Sequence, residues 1–273
     1  MTEEAIQTGR FPNGLPYISS GSGSPALGVF PHIRDTLEDI TEARWCRRWL
    51  RRFGKAGHRV CIIGRRRDLP AGCTTADMAA EYAAVLKHEL GPCPVLGFSL
   101  GGLAAQHLAL AYPRLVTRLV LAVCGHSIAP DEQASIRGWI AQARQENWRP
   151  IYLDIAALMH TGVADCNAEK VAAFMEGALQ RPPFNPSGFI ACSAASLTHN
   201  TAEQLHRIAA PTLLIGGTRD RLFPQAVLQE TAQSIPGARL TLLAGAGHGA
   251  FDEQKREFDR ELFQFLAPHA APA

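Results

Sequence analysis

The chain has 273 residues, 47% hydrophobic and 19% charged, with 27 Lys and Arg against 25 Asp and Glu for a formal net charge of +2. A chain of this length and composition buries roughly three-quarters of the surface its unfolded form exposes, so it needs neither disulfides nor a metal to build a core, and disorder is excluded. The nearly balanced charge gives no long-range field that would make nucleic acid or an acidic membrane the main partner.

Met1 to Arg10 is polar and acidic, without the basic and apolar stretches of a signal or transit peptide, and no apolar run reaches the ~20 residues of a bilayer span. The seven cysteines, Cys46, Cys61, Cys73, Cys93, Cys124, Cys166 and Cys192, are odd in number and never form Cys-x-x-Cys. That usage fits reduced thiols in a cytoplasmic protein rather than a disulfide framework or a zinc site.

After a Pro/Gly-rich opening over Phe11 to Pro16, and a Gly21 to Ser24 turn that lacks the sequence of a phosphate loop, short apolar runs alternate with helical patterns. Strands are predicted at Pro25 to Pro31, Arg59 to Gly64, Cys93 to Phe98, Thr117 to Cys124, Thr212 to Gly216 and Arg239 to Leu243. This alternation is the pattern of a mostly parallel sheet with crossover helices, an α/β fold. Thr41 to Phe53 spaces Ala43, Cys46, Trp49, Leu50 and Phe53 as one helical face, which leaves Arg44, Arg47, Arg48, Arg51 and Arg52 as a solvated face. Helices follow at Thr75 to Leu90, ended by Gly91 and Pro92, at Ser99 to Tyr112, which carries so little polarity that it must be buried on most sides, and at Phe251 to Leu266.

From Ser127 to Ala210 the alternation fails. The stretch is helical in pattern, carries Trp139, Trp148, Met159, Phe174, Met175 and Phe189, and is interrupted by Pro182, Pro183 and Pro186. It reads as a helical insertion (127–210) between two strands of a core formed by 1–126 and 211–273. Its large apolar residues are either its own core or the walls of a ligand pocket.

The most specific signal is Gly97-Phe98-Ser99-Leu100-Gly101-Gly102, a Gly-x-Ser-x-Gly elbow where an apolar strand turns into a helix. A serine on so tight a turn needs neighbours without side chains, which Gly97 and Gly101 supply, and its hydroxyl then stands clear of the sheet at a helix N-terminus. A serine hydroxyl needs a base to take its proton and an acid to orient that base. Asp220, beyond the strand at Thr212, and His248, beyond the strand at Arg239, follow in the required order, each in a loop at a strand's carboxyl end. His126 and His199 lie near or inside the insertion and read as structural or surface histidines; Asp252 reads as an acid at a helix N-terminus, and Asp35 and Asp39 as helix starts.

These residues resemble the α/β-hydrolase superfamily in the elbow, in Gly217-Thr218-Arg219-Asp220 and in Gly245-Ala246-Gly247-His248, with a match running from about Pro25 to Leu266. The resemblance implies a Ser99, Asp220, His248 triad, a cap formed by the insertion, no metal or organic cofactor, and an oxyanion hole from the N–H groups of Leu100 and Ile33. The chain departs from the family where relatives carry His-Gly after the third strand. Here Val29-Phe30-Pro31-His32-Ile33 puts His32 at the glycine, so the Ile33 donor is either retained, displaced or absent. His32 either lines the pocket or is a plain loop residue, and Arg34 meets either a substrate carboxylate or solvent.

The implied activity is a serine hydrolase cleaving a carboxylic ester, thioester or lactone of a small, largely apolar molecule. C–C bond hydrolysis, acyl transfer or cofactor-free perhydrolysis on the same residues, or a weakly active ligand-binding role, remain as alternatives. The partner is a small-molecule substrate, and a monomer and a small homo-oligomer are equally allowed.

Overall fold

The structure is a computed structural model and describes residues 6–54, 59–160 and 183–267. Each strand predicted from sequence is present, with ends shifted by at most a few residues: β3 Leu27–Phe30, β4 Val60–Ile63, β5 Cys93–Phe98, β6 Val116–Ala122, β7 Thr212–Gly217 and β8 Arg239–Leu243. Two further strands, β1 Gln7–Arg10 and β2 Pro16–Ser20, precede them, so the Pro/Gly-rich opening is the turn of a hairpin and not merely a loop. Pro16 stands at the first position of its strand, where its missing N–H is tolerated.

The eight strands form one sheet in the order β1-β2-β4-β3-β5-β6-β7-β8. β2 pairs antiparallel with both β1 and β4, and all other neighbours are parallel. Both faces of the sheet are covered, which is why its central strands read as continuous apolar runs instead of alternating. Leu27, Val29, Phe98, Leu213 and Ile215 face one layer, built from α1 (Arg44–Gly54) and α9 (Lys255–Leu266). Phe30, Val95, Leu119, Leu121 and Leu214 face the other, built from α2 (Thr75–Val85), α3 (Leu100–Ala111) and α7 (Gln225–Ser234).

α2 opens on a capping box between Thr74 and Asp77 and runs into a π-helical turn, Leu86–Leu90, that stops at Gly91 with φ 75°. The C-terminal helix is not continuous. A one-turn α8 (Ala250–Glu253) is separated from α9 by Gln254, which leaves helical geometry at φ −117°, ψ 50°.

The arginine face of α1 needs one correction. Arg52 is buried, donating to Asp259 Oδ1 at 2.6 Å, to Phe251 O at 2.7 Å and to Asp252 Oδ1 at 3.3 Å, and so ties α1 to α8 and α9. Arg44, Arg47, Arg48 and Arg51 are exposed, as a solvated face requires.

Between β6 and β7 lie α4 (Gln133–Arg144), α5 (Trp148–Met159) and α6 (Pro186–Thr198). Trp139 and Phe189 are buried in the same apolar cluster as α2 and α3, and Trp139 Nε1 donates to Asp154 Oδ2 at 2.6 Å, joining α4 to α5. These two aromatics are core. Phe174, Met175, Pro182 and Cys166 lie outside the described residues. Among the described residues no helix is long and apolar enough to cross a membrane.

Candidate active site

Ser99 sits between β5 and α3 with φ 49° and ψ −117°, a left-handed backbone that a residue with a Cβ adopts only under strain. The glycines around it are there because backbones touch. A Cβ on Gly97 would lie 2.6 Å from Gly102 Cα, and one on Gly101 would lie 2.2 Å from Phe30 O and 2.7 Å from Pro31 O. The first contact lets the helix start directly above the strand. The second brings the end of β3 against the first turn of α3. Ser99 is anchored by its own N–H to Ala122 O at 2.9 Å, and its carbonyl accepts from Gly102 and Leu103 at 2.7 and 3.0 Å.

The loops after β7 and β8 are joined by an equally close approach, since a Cβ on Gly217 would lie 2.1 Å from Ala246 O. Arg219 N–H donates to that same Ala246 carbonyl at 2.8 Å, and Gly245 N–H donates to Thr218 Oγ1 at 2.8 Å. This junction carries Asp220 and His248 to Ser99. His248 Nε2 lies 2.9 Å from Ser99 Oγ, and its Nδ1 lies 2.8 Å from Asp220 Oδ2. The other carboxylate oxygen, Oδ1, accepts the N–H groups of Leu222 and Phe223 at 2.9 and 3.1 Å, which hold Asp220 in place. Phe223 also stacks on the imidazole at 5.9 Å between centroids. All three residues are buried, Ser99 with 8% of its surface exposed, His248 4% and Asp220 2%. They form one directed chain: serine hydroxyl, imidazole, carboxylate.

The N–H of Leu100 opens α3, and that of Ile33 opens a single 3-10 turn, Ile33–Thr36. Among the described residues neither donates to a protein acceptor. His32 does not disrupt this turn. Its φ of −67° and ψ of −176° are open to any residue, so a glycine is not required there. The imidazole packs among Trp45, Trp49 and Phe251 at 5.3, 5.6 and 6.0 Å. Its Nδ1 accepts the Arg34 N–H at 3.1 Å. Burial, and then the neighbouring Arg34 charge, hold its pKa well below the usual histidine range, so the ring is neutral with its proton on Nε2. Arg34 itself pairs with Glu38, four residues on, at 2.8 Å.

The other residues weighed from sequence have separate partners. His126 meets Ser127 and Glu230, His199 meets Thr75 Oγ1 at 2.8 Å, Asp252 meets Arg52, and Asp39 accepts from Thr41. Asp35 is paired with Arg65, an arginine that the sequence does not single out because the partners lie 30 positions apart. The six described cysteines are buried and unpaired with one another. Burial pushes their thiols up, Cys61 and Cys192 to about 12, so none is a ready thiolate. Among the described residues no cluster of His, Cys, Asp or Glu could hold a metal ion.

One of the helices between β6 and β7 reaches this site. The last turn of α5 lies on the histidine loop, with His248 N–H donating to Leu158 O at 3.3 Å. The fit allows no side chain at Gly249, whose Cβ would lie 1.9 Å from Met159 O.

Known proteins resemble this chain in sequence and in fold. A curated relative in Variovorax paradoxus (strain S110), provisionally named carbamate hydrolase RutD, is 29% identical over 93% of this chain and 92% of its own length. The pimeloyl-acyl-carrier-protein methyl ester esterase of Chromobacterium violaceum is 29% identical over 71% of this chain and 77% of its own. Among solved structures, a hydrolase from Pseudomonas aeruginosa PA01 superposes with a TM-score of 0.79 at 25% identity, covering 96% of this chain and 98% of that one. The sequence profile of the alpha/beta hydrolase family matches residues 23–261, which take in strands β3 to β8 together with Ser99, Asp220 and His248, and the chain belongs to that family.

Proposed function

We propose that the protein is a serine hydrolase acting on a carboxylic ester, thioester or lactone of a small, largely apolar substrate. The observation that carries this reading is the chain Ser99 Oγ, His248 Nε2, His248 Nδ1, Asp220 Oδ2, closed by contacts of 2.9 and 2.8 Å on a strained elbow.

In the acylation half, Ser99 Oγ attacks the substrate carbonyl carbon while His248 Nε2 takes the hydroxyl proton. Asp220 accepts from Nδ1, which fixes the tautomer and stabilises the imidazolium. The carbonyl oxygen gains the electron pair of its π bond and is received by the Leu100 and Ile33 N–H groups. His248 then returns the proton to the leaving group, and the acyl group stays on Ser99. A water activated by His248 reverses these steps and releases the acid. The alignment of the Leu100 donor at a helix N-terminus adds favourable potential for the oxyanion.

Residues 127–210 are the cap over this site in the same reading, and the seat of α5 on the His248 loop supports that assignment. The names of the two relatives, an esterase and a provisional carbamate hydrolase, both describe attack on a carbonyl bearing a heteroatom leaving group. The test is steady-state hydrolysis of p-nitrophenyl esters from acetate to octanoate, with a thioester, a lactone and a phenyl carbamate in parallel, by the native protein and Ser99→Ala. Turnover of at least one ester that falls by 10³-fold or more in Ser99→Ala is the expected result. Absence of turnover across the panel, or turnover that survives the substitution, overturns the reading.

A further inference from the structure

Arg65 is a buried cation with no place in the chemistry above. It follows β4, and its side chain and that of Asp35 each retain only 2% of their exposure. Nη1 and Nη2 donate to Pro31 O at 3.1 and 3.0 Å, and Nη2 also donates to His32 O at 2.6 Å and to Asp35 Oδ1 at 2.5 Å. The backbone N–H of Arg65 donates to Asp35 Oδ2 at 3.0 Å, so both carboxylate oxygens are engaged. Nε, by contrast, is buried without a partner, so the guanidinium is turned toward the backbone carbonyls at the expense of its Nε–H.

The carbonyl of His32 and the N–H of Ile33 belong to one peptide unit. That unit is trans, since the one cis bond among the described residues is Ser24-Pro25, and in a trans unit the two groups point in opposite directions. A donor that pins the His32 oxygen on one side therefore aims the Ile33 N–H at the other. Asp35 holds the same short turn from beyond Ile33, so the clamp grips the chain before and after the donor. The grip is also electronic, because a cation bonded to an amide oxygen polarises the unit and strengthens its N–H as a donor. The close seat of Gly101 against Phe30 O and Pro31 O places this gripped stretch beside the first turn of α3, where Leu100 supplies the other N–H.

We infer that Arg65, backed by Asp35, is a positioning residue that orients and polarises the 32–33 peptide so that Ile33 N–H receives the oxyanion. The inference rests on the serine-hydrolase reading.

The test compares native protein, Arg65→Met, Arg65→Lys and Asp35→Asn, each checked for folding by circular dichroism and thermal melting. Three quantities are measured: kcat and KM on the best p-nitrophenyl ester, inhibition by an aryl trifluoromethyl ketone, and inhibition by the matching methyl carbinol. Ser99 Oγ adds to the ketone carbon, its proton passes to His248, and the carbonyl π pair becomes an oxyanion in the hole; the carbinol forms no bond and makes no oxyanion. Arg65→Met is expected to lower kcat about 10²-fold and to weaken the ketone by a similar factor, with KM and carbinol inhibition within threefold of native. Arg65→Lys, which keeps a cation able to reach a carbonyl, is expected to recover at least a tenth of native kcat, and Asp35→Asn to lose about tenfold. Ketone and carbinol weakening together indicates a general collapse of the site and overturns the inference, as does an unchanged kcat in folded Arg65→Met. If Arg65→Met does not fold, the same two ratios in Arg65→Lys and Asp35→Asn decide. Native protein that neither turns over the ester nor is labelled by a fluorophosphonate overturns the hydrolase reading itself, a result distinct from native activity that Arg65 does not influence.

Discussion

Replacing Gly101 with alanine tests whether the site depends on the contact between the elbow helix and the end of β3. The added Cβ would sit 2.2 Å from Phe30 O, 2.6 Å from Phe30 C and 2.7 Å from Pro31 O. These are backbone atoms, which cannot swing away as a flexible side chain would, and ordinary contact demands a separation larger by about 1 Å. The helix that carries Leu100 and the segment that carries Ile33 must therefore part by roughly that distance. A 1 Å misplacement of donors from the oxyanion costs about 10²-fold in rate, and overpacking of this kind costs about 1–3 kcal/mol in stability. The expected result is a kcat/KM for a p-nitrophenyl ester reduced about 10²-fold, carried by kcat, with a melting temperature lower by several degrees. Gly138→Ala is the control, since a Cβ there meets nothing within 4 Å in the interior of α4, and turnover should stay native. A Gly101→Ala protein whose kcat/KM stays within threefold of native refutes the reasoning.

Three further predictions follow from contacts elsewhere. Gly249→Ala places a Cβ 1.9 Å from Met159 O and drives the end of α5 off the histidine loop, and limited proteolysis should then cut near α5 faster than in the native protein at equal temperature; unchanged cleavage would count against the close seat of α5 on that loop. Arg52→Ala strips donors from Asp259 and Phe251 O and is expected to cost ~2–4 kcal/mol in urea unfolding, whereas Arg48→Ala on the exposed face should stay within ~0.5 kcal/mol. His199, pushed down to about 3 chiefly by burial, stays neutral in the fold while the unfolded chain takes up a proton below about pH 6.5. The unfolded state thus binds more protons between those two values, so this residue's contribution to stability falls as pH drops through that window, by about 1.4 kcal/mol per pH unit. His199→Asn should flatten the decline in urea midpoint between pH 6.5 and 4.5; an identical decline in both proteins would exclude His199 as its source.

The legibility of this chain in its sequence follows from the range of the interactions involved. The elbow is a local object, because glycines at 97 and 101 and a serine at 99 answer to backbone contacts made within one strand-turn-helix, and the parallel strands announce themselves through burial on both faces. Asp220 and His248 stand out in the sequence by their places in loops at strand ends, and the fold brings both to Ser99. The N-terminal hairpin was not, because β1 is largely exposed and its Pro/Gly turn masks the strands on either side. Arg52 reads as one more solvated arginine until the fold brings Asp252 and Asp259 to it from 200 and 207 positions away. Arg65 and Asp35 are hidden for the same reason, and the effect of His32 on the turn depends on a φ that no sequence pattern reports.

The most direct test of the central claim, that Ser99 is a nucleophile activated by His248, is intact-mass spectrometry after treatment with a fluorophosphonate. The native protein should gain the mass of one phosphonyl group, Ser99→Ala should gain none, and His248→Ala should react at least 10²-fold more slowly. A native protein that stays unlabelled while folded, or a Ser99→Ala variant labelled as fast as native, would contradict it.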